Sequence, residues 1–304
     1  MAIKKIASWA AGAAAAALLL TGCTSDNNAA PADIKTEATA TNETVKIGVV
    51  GASDPYWDTY TAAAKAEGIT VEIVDFSDYN QPNPALSAGE LHLNQFQHIV
   101  YLAQHNVASG DDLVPIGSTA IYPLALFSEK HKAVTDIPQG ATIAIPADES
   151  NRARALLVLQ QAGLLKLENG GTIFSTPDDI ITAESKVKVT EVDASFTAAS
   201  IKDVDGAIVN NDFVTKAGLE FSDALFSDNP EDASALPYVN IFAAKKADAT
   251  NPTYLKLVEI FQNTKAVQDG LQEVSGGSAV LLQTPVADLT ASLEKVQADI
   301  KANN

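Results

Sequence analysis

Apolar positions along the body of the chain follow two alternating rhythms. Short runs rich in β-branched residues at 45–50 (Val-Lys-Ile-Gly-Val-Val) and 70–76 (Thr-Val-Glu-Ile-Val-Asp-Phe) predict strands, with a helix at 58–67 between them. Further strands are expected at 141–145, 186–192, 206–209 and 238–244, and further helices at 152–162, 252–261 and 286–302, the last with alternating charge on a solvated outer face. Strands that alternate with helices predict an α/β protein with a mainly parallel sheet. Two long apolar stretches, 113–127 and 238–244, bracket a middle segment and are expected to be the two crossings between lobes. Residues 45–123 plus 243–304 would form lobe 1 and 124–242 lobe 2. A ligand cleft between them follows, because sites in such folds form between domains and at the carboxyl ends of strands.

The first 22 residues break both rhythms. Lys4 and Lys5 precede an uncharged, Ala-rich run at 6–20, too short for a comfortable membrane span, which reads as a signal peptide. It ends in Leu20-Thr21-Gly22-Cys23, a pattern resembling a bacterial lipobox, with the only cysteine of the chain at the cleavage point. Cys23 is therefore expected to be acylated, and several acyl chains would anchor the protein to the extracytoplasmic face of the cell membrane. Residues 23–44, rich in Ala, Asn, Thr and Asp without apolar periodicity, are expected to be a flexible tether.

Charge narrows the partners. The 304 residues carry 38 Asp+Glu against 20 Lys+Arg, a formal charge of −18, which repels a phosphate backbone and excludes nucleic-acid binding by any broad surface. A 46% hydrophobic content supplies a large core, and the length suits two lobes.

The only arginines, Arg152 and Arg154, follow the 141–145 strand and open a helix, where free N–H groups already favour an anion. A guanidinium there holds a carboxylate bidentately, as lysine cannot. At about 200° apart on a helix the two cannot both face one ligand. Tyr79 and Phe96 lie near polar turn signals, where rings wall a pocket while neighbouring amides supply hydrogen bonds. His92, His98 and His105 raise a metal site, yet His98 and His105, two helical turns or about 10 Å apart, do not share one zinc. Nucleophile-elbow, phosphate-loop and dinucleotide motifs are missing, so no cofactor is implied. Ser185-Lys-Val-Lys188 matches S-x-x-K only formally, because it enters a strand and lacks the companion motifs.

A set of motifs in order resembles the NlpA/MetQ family of methionine-binding lipoproteins, the substrate-binding components of ABC importers. It runs through Asp78-Tyr79, Pro82-Asn83, Asn94-Gln95-Phe96-Gln97-His98, Tyr101-Leu102, Tyr122-Pro123, Phe127-Ser128, Ala144-Ile145-Pro146, Asp148, Asn151, Arg154-Ala155-Leu156, Ala207-Ile208-Val209-Asn210 and Pro237-Tyr238-Val239-Asn240. The resemblance implies a two-lobed periplasmic-binding-protein fold, type II-like, closing on an amino acid. It implies that Arg154 binds the ligand carboxylate, that Asn210 and Asn240 hold its polar backbone, that Tyr79, Phe96, His98 and Tyr101 wall its side chain, and that Asn151 is a further ligand-binding residue. The ligand implied is L-methionine or a close relative, D-methionine or a methionine-containing dipeptide, delivered to a membrane permease whose ATPase subunit supplies the energy. The protein would then be no enzyme; a metal-binding lipoprotein and an exported hydrolase are the rival readings. Departures from the family pattern fall at His98-Ile99-Val100-Tyr101, at 146–151, at Phe127, in the 51–57 loop, where Trp57 is expected to enlarge, fill or cap the site, and in the segment past Ser278.

Overall fold

The computed structural model describes residues 44–303, so the expected leader, Cys23 and the tether up to residue 43 lie outside the described residues. In chain order the elements are β1 (Val45–Val49), α1 (Tyr56–Ala66), β2 (Val71–Asp75), α2 (Pro82–Ala88), β3 (Leu93–His98), α3 (Ile99–Ser109), β4 (Leu113–Ser118), β5 (Ala120–Ile121), β6 (Ala125–Phe127) and β7 (Ala141–Pro146). There follow α4 (Glu149–Gln161), β8 (Val187–Val192), α5 (Thr197–Ser200), β9 (Gly206–Val209), α6 (Asn211–Val214), β10 (Phe226–Ser227), β11 (Asn240–Lys245), α7 (Pro252–Asn263), α8 (Lys265–Val274), β12 (Val280–Leu281) and α9 (Val286–Asn303). Two helix starts show why they form where they do. Asp148 caps α4 by accepting the N–H of Asn151, and Asn251 caps α7 ahead of Pro252, whose fixed φ suits the first helical position.

Two five-stranded sheets carry the α/β architecture, in the orders β2-β1-β3-β11-β4 and β10-β6-β9-β7-β8. In the first, β1 runs parallel to β2 and β3 while β11 is antiparallel to β3 and β4. In the second, β7 is parallel to β8 and β9, and β6 is antiparallel to β9 and β10. The chain leaves the first sheet through residues 119–124, inside the expected 113–127 stretch, and returns through 228–239. That return corrects one expectation. Within the apolar run at 238–244, residues 240–244 belong to β11 in the first sheet and only 238–239 to the crossing, so residues 240–242 belong with lobe 1 and not lobe 2. A central strand covered on both faces is a continuous apolar run and has the same pattern as a buried crossing.

The alternation along β11 shows both coverings. Phe242 and Ala244 pack with α1, α7 and α8, whereas Ile241 and Ala243 pack with α2, α3 and α9. Helix α7 lies so close to β4 that a Cβ on Gly117 would collide with Val258. Trp57 belongs to this core, its ring centroid 5.7 Å from Tyr60 and 5.9 Å from Phe261, and so neither caps nor fills the cleft. Helix α9 buries Leu289, Leu293, Val296 and Ile300 against Ile99, Leu102 and Leu113, which gives the C-terminal segment a structural place. In the second lobe Leu156 and Leu159 of α4 pack on Ile143 and Ile145 of β7. A fourth cluster joins the lobes: Tyr79 and Phe96 from the first meet Phe127, Val209 and Phe213 from the second.

Candidate functional site

All eight residues expected at a ligand site, Tyr79, Phe96, His98, Tyr101, Asn151, Arg154, Asn210 and Asn240, line one cavity between the lobes. It holds about 330 Å³ of space not filled by protein atoms. Phe96 and His98 come from the end of β3, Tyr101 from the first turn of α3, Asn151 and Arg154 from α4 after β7, and Asn210 from the end of β9. The side chains thus gather where parallel strands end and helices begin. Phe96 lies within a strand, not at a turn: β3 is buried along its whole length although it carries Asn94, Gln95, Gln97 and His98. Its amides are satisfied locally, with Gln97 and Asn83 exchanging hydrogen bonds of 2.6 and 2.7 Å and Asn94 donating to Asn83 at 2.8 Å.

The two arginines part company. Arg152 faces outward and pairs with Glu191 at 3.0 Å. Arg154 is buried, and its fork is held from behind: Nε donates to Asp228 Oδ2 at 2.7 Å, and Nη2 to Asp228 Oδ1 at 3.2 Å and to the Tyr122 carbonyl at 2.8 Å. The guanidinium carbon lies 4.5 Å from the centroid of the Tyr238 ring. Nη1 takes part in none of these bonds, and Arg154 lines the cavity.

Hydrogen-bond logic fixes the amides opposite. Asp148 is an acceptor, so the group that Asn151 turns to it at 2.9 Å is Nδ2. Asn151 Oδ1 then accepts from Asn210 Nδ2 at 2.8 Å, which leaves Asn210 Oδ1 buried without a partner. His98 Nδ1 accepts the N–H of Tyr101 at 3.2 Å, so the ring proton sits on Nε2, which faces Asn151 Oδ1 at 3.4 Å. Burial, aided by the Arg154 charge, pushes the His98 pKa down to about 3, so the ring is neutral. The cavity is therefore lined by a cation at Arg154 and an unpaired acceptor at Asn210, while the Asn240 amide makes no hydrogen bond to a described residue.

An aromatic wall faces this polar pair. Tyr79, Phe96 and Tyr101 pack with centroids 5.7 to 6.1 Å apart, and Tyr101 donates its hydroxyl to the Tyr79 carbonyl at 2.9 Å. Tyr79 in turn donates across the cleft to Asp212 at 2.8 Å. Burial raises the Asp212 pKa to about 7, even though the hydrogen bond from Tyr79 and the charge of Lys216 work to lower it.

Sequence reasoning did not select Gln97, Tyr122 and Asn211, which complete the lining, nor Asp228, Tyr238 and Asp148, which hold the others in place. All but Asp228 and Asn211 lie in the quoted motifs; Asp228 sits in Ser227-Asp228-Asn229-Pro230, where the only signal is turn chemistry. The histidines disperse. His92 accepts the N–H of Lys46, His98 lines the cavity, and His105 pairs with Asp111 at 2.8 Å. Among the described residues no group of three or more His, Cys, Asp or Glu is arranged to hold a metal ion. Ser185 spends its hydroxyl on the Ile181 carbonyl and the Lys166 N–H, away from the cavity lining.

Comparison with known proteins places the chain and its fold among relatives. Over 275 residues the chain is 35% identical to the probable D-methionine-binding lipoprotein MetQ of Haemophilus influenzae, covering 88% of this chain and 96% of that protein. The substrate-binding protein of a methionine transporter from Streptococcus pneumoniae superposes with a TM-score of 0.73 at 38% identity, covering 79% of this chain and 95% of that one. A nutrient-binding protein from Burkholderia cenocepacia, solved bound to methionine, gives a TM-score of 0.72 at 36% identity over 78% of this chain and 99% of its own. Residues 45–281 match the family model of the NlpA lipoproteins, and the chain belongs to that family.

Proposed function

We propose that this protein is a lipid-anchored binding protein that captures free methionine and delivers it to an ABC-transporter permease. The observation that carries the reading is a pair of residues lining one cavity: Arg154, whose Nη1 makes none of its hydrogen bonds to Asp228 and Tyr122, and Asn210, whose Oδ1 is unpartnered. They match the carboxylate and ammonium of a zwitterion, and the Tyr79, Phe96 and Tyr101 wall suits a thioether, which gains burial and a sulfur–aromatic contact.

The two lobes divide the work. Arg154, Asn151 and Asn210 come from the second lobe and hold the charged end, whereas most of the aromatic wall comes from the first, so only the closed arrangement contacts the whole ligand. Ligand binding then shifts the population toward closure by its differential affinity, and the closed form is what the permease recognises. Acylated Cys23, with the tether, keeps the protein at the extracytoplasmic membrane face; ATP hydrolysis belongs to the partner subunit. The likeness to relatives described as methionine-binding supports the choice of ligand.

Native mass spectrometry of the purified protein, as isolated and after unfolding and refolding with L- or D-methionine in excess, tests this directly. A methionine-sized adduct that returns on refolding is expected. A dipeptide-sized or metal adduct, or none with methionine in excess, would overturn the proposed ligand.

A further inference from the structure

A second compartment adjoins the amino-acid cavity, sharing Tyr122 and Asn211 as a common wall. Asp54 and Tyr56 enter it from the loop after β1 and the start of α1, within the 51–57 segment that departs from the family pattern; Asp212 and Phe221 enter from the second lobe. Tyr56 and Tyr122 are 7% and 8% exposed, yet neither hydroxyl has a hydrogen-bond partner among the described residues, and each phenol lies in the electrostatic field of both Asp54 and Asp212. The Asp54 carboxylate likewise makes no hydrogen bond, and Asp75 behind it adds negative field. Lys216 is the nearest cation of the chain. Its ammonium lies 5.6 Å from the centroid of the Phe213 ring and outside the compartment lining, and its charge acts on both Asp54 and Asp212 from there.

The unpaired Asp54 carboxylate and two unpaired phenolic oxygens, with Asp212 already accepting from Tyr79 and Asn211, line one compartment with three aromatic rings and describe a cation site of a particular kind. A divalent metal wants six or more oxygen ligands and no aromatic walls. An alkylammonium group uses both features, since carboxylates and hydroxyls accept its N–H bonds while ring systems attract its charge. We infer that this compartment is a binding site for an ammonium group, held between Asp54 of the first lobe and Asp212 of the second within the ring cluster of Tyr56, Tyr122 and Phe221. The ammonium arrives either on a separate small amine or on an extension of the molecule in the amino-acid cavity, through the shared wall. The inference does not require methionine to be the occupant of that cavity.

The test uses the purified protein, its Asp54→Asn and Tyr56→Phe variants, and two probes, methylammonium chloride and alanyl-methionine, with L-methionine affinity as the control. Calorimetry that detects methylammonium binding at saturating methionine, weakened about tenfold by Asp54→Asn and about threefold by Tyr56→Phe, supports the separate-amine source. If methylammonium is silent but alanyl-methionine binds and loses about tenfold in Asp54→Asn, the ammonium belongs to an extended ligand. In both cases methionine affinity is unchanged in both variants. The inference is overturned if neither probe responds to Asp54→Asn, if potassium chloride competes as well as methylammonium, or if the variants weaken methionine itself to the same extent. Failure of methionine to bind would sink the proposed function and leave the methylammonium arm to decide this one.

Discussion

Replacing Arg154 by alanine separates two roles that one side chain plays. On the cavity side it removes the donor facing the ligand carboxylate, leaving that carboxylate desolvated and unpaired. Truncating one partner of a buried, hydrogen-bonded charge pair costs about 2–5 kcal/mol, so methionine affinity is expected to fall roughly 30-fold to several-thousand-fold. On the far side it removes two hydrogen bonds to Asp228 and one to the Tyr122 carbonyl, so the ligand-free protein loses stability as well, by about 3 kcal/mol. Arg152→Ala is the internal control. Its pair with Glu191 is partly solvated, with side chains 21% and 39% exposed, and pairs of that kind contribute about 0–1 kcal/mol with no bearing on the cavity. Calorimetric titration with L-methionine reads the first role, and urea unfolding without ligand reads the second. A double variant, Arg154→Ala with Asp228→Ala, adds a check: stability should recover in part because no unpaired carboxylate remains, whereas affinity should not. Equal affinity losses for Arg152→Ala and Arg154→Ala, or less than a threefold loss for the latter, would refute the assignment.

Two titrating groups are expected to act on stability in opposite directions. His98, pushed down to about 3, binds its proton more readily when unfolded, so its contribution is full above about pH 6.5 and is lost at about 1.4 kcal/mol per pH unit as pH falls toward 3. Asp212, raised to about 7, binds its proton more readily when folded, so it adds stability as pH falls from 7 toward 4. Urea midpoints across this range should therefore change little in the parent. They should fall more steeply on acidification in Asp212→Asn and rise in His98→Asn, in which the asparagine still caps α3; unchanged profiles in both would count against the pair. Gly117→Ala should destabilise the protein by about 1–3 kcal/mol through its collision with Val258, with part of the loss restored by Val258→Ala, as measured by thermal unfolding. No recovery in the double variant would mean that the contact is not the cause.

Strands whose side chains are apolar on at least one face were legible from the chain alone. β1, β7 and β9 fall where their β-branched runs place them. β3 was not, because its burial is purchased with hydrogen bonds among Asn83, Asn94 and Gln97, a pairing that no single-strand pattern encodes. The same holds for Arg154. Its position at the start of a helix marks it as an anion binder, but its partner Asp228 lies 74 residues away, and only the fold brings the two together. Choosing Arg154 over Arg152 needed the family resemblance; periodicity says only that they point apart. Trp57 misled because a large ring beside a variable loop looks like a lid, whereas its neighbours Tyr60 and Phe261 draw it inward.

The position of β11 also governs how the chain must be assembled. Its partners β3 and β4 lie more than a hundred residues earlier, and the whole second sheet is spelled out between them. The second sheet is complete within one continuous stretch ending at Ser227, while the first has a gap between β3 and β4 until residues 240–245 arrive. Closing so long a loop costs entropy that is lower once the intervening stretch has condensed. A molecule threaded outward from its amino end thus has its later-starting half finished first, and the older half waits for a single strand to lock it.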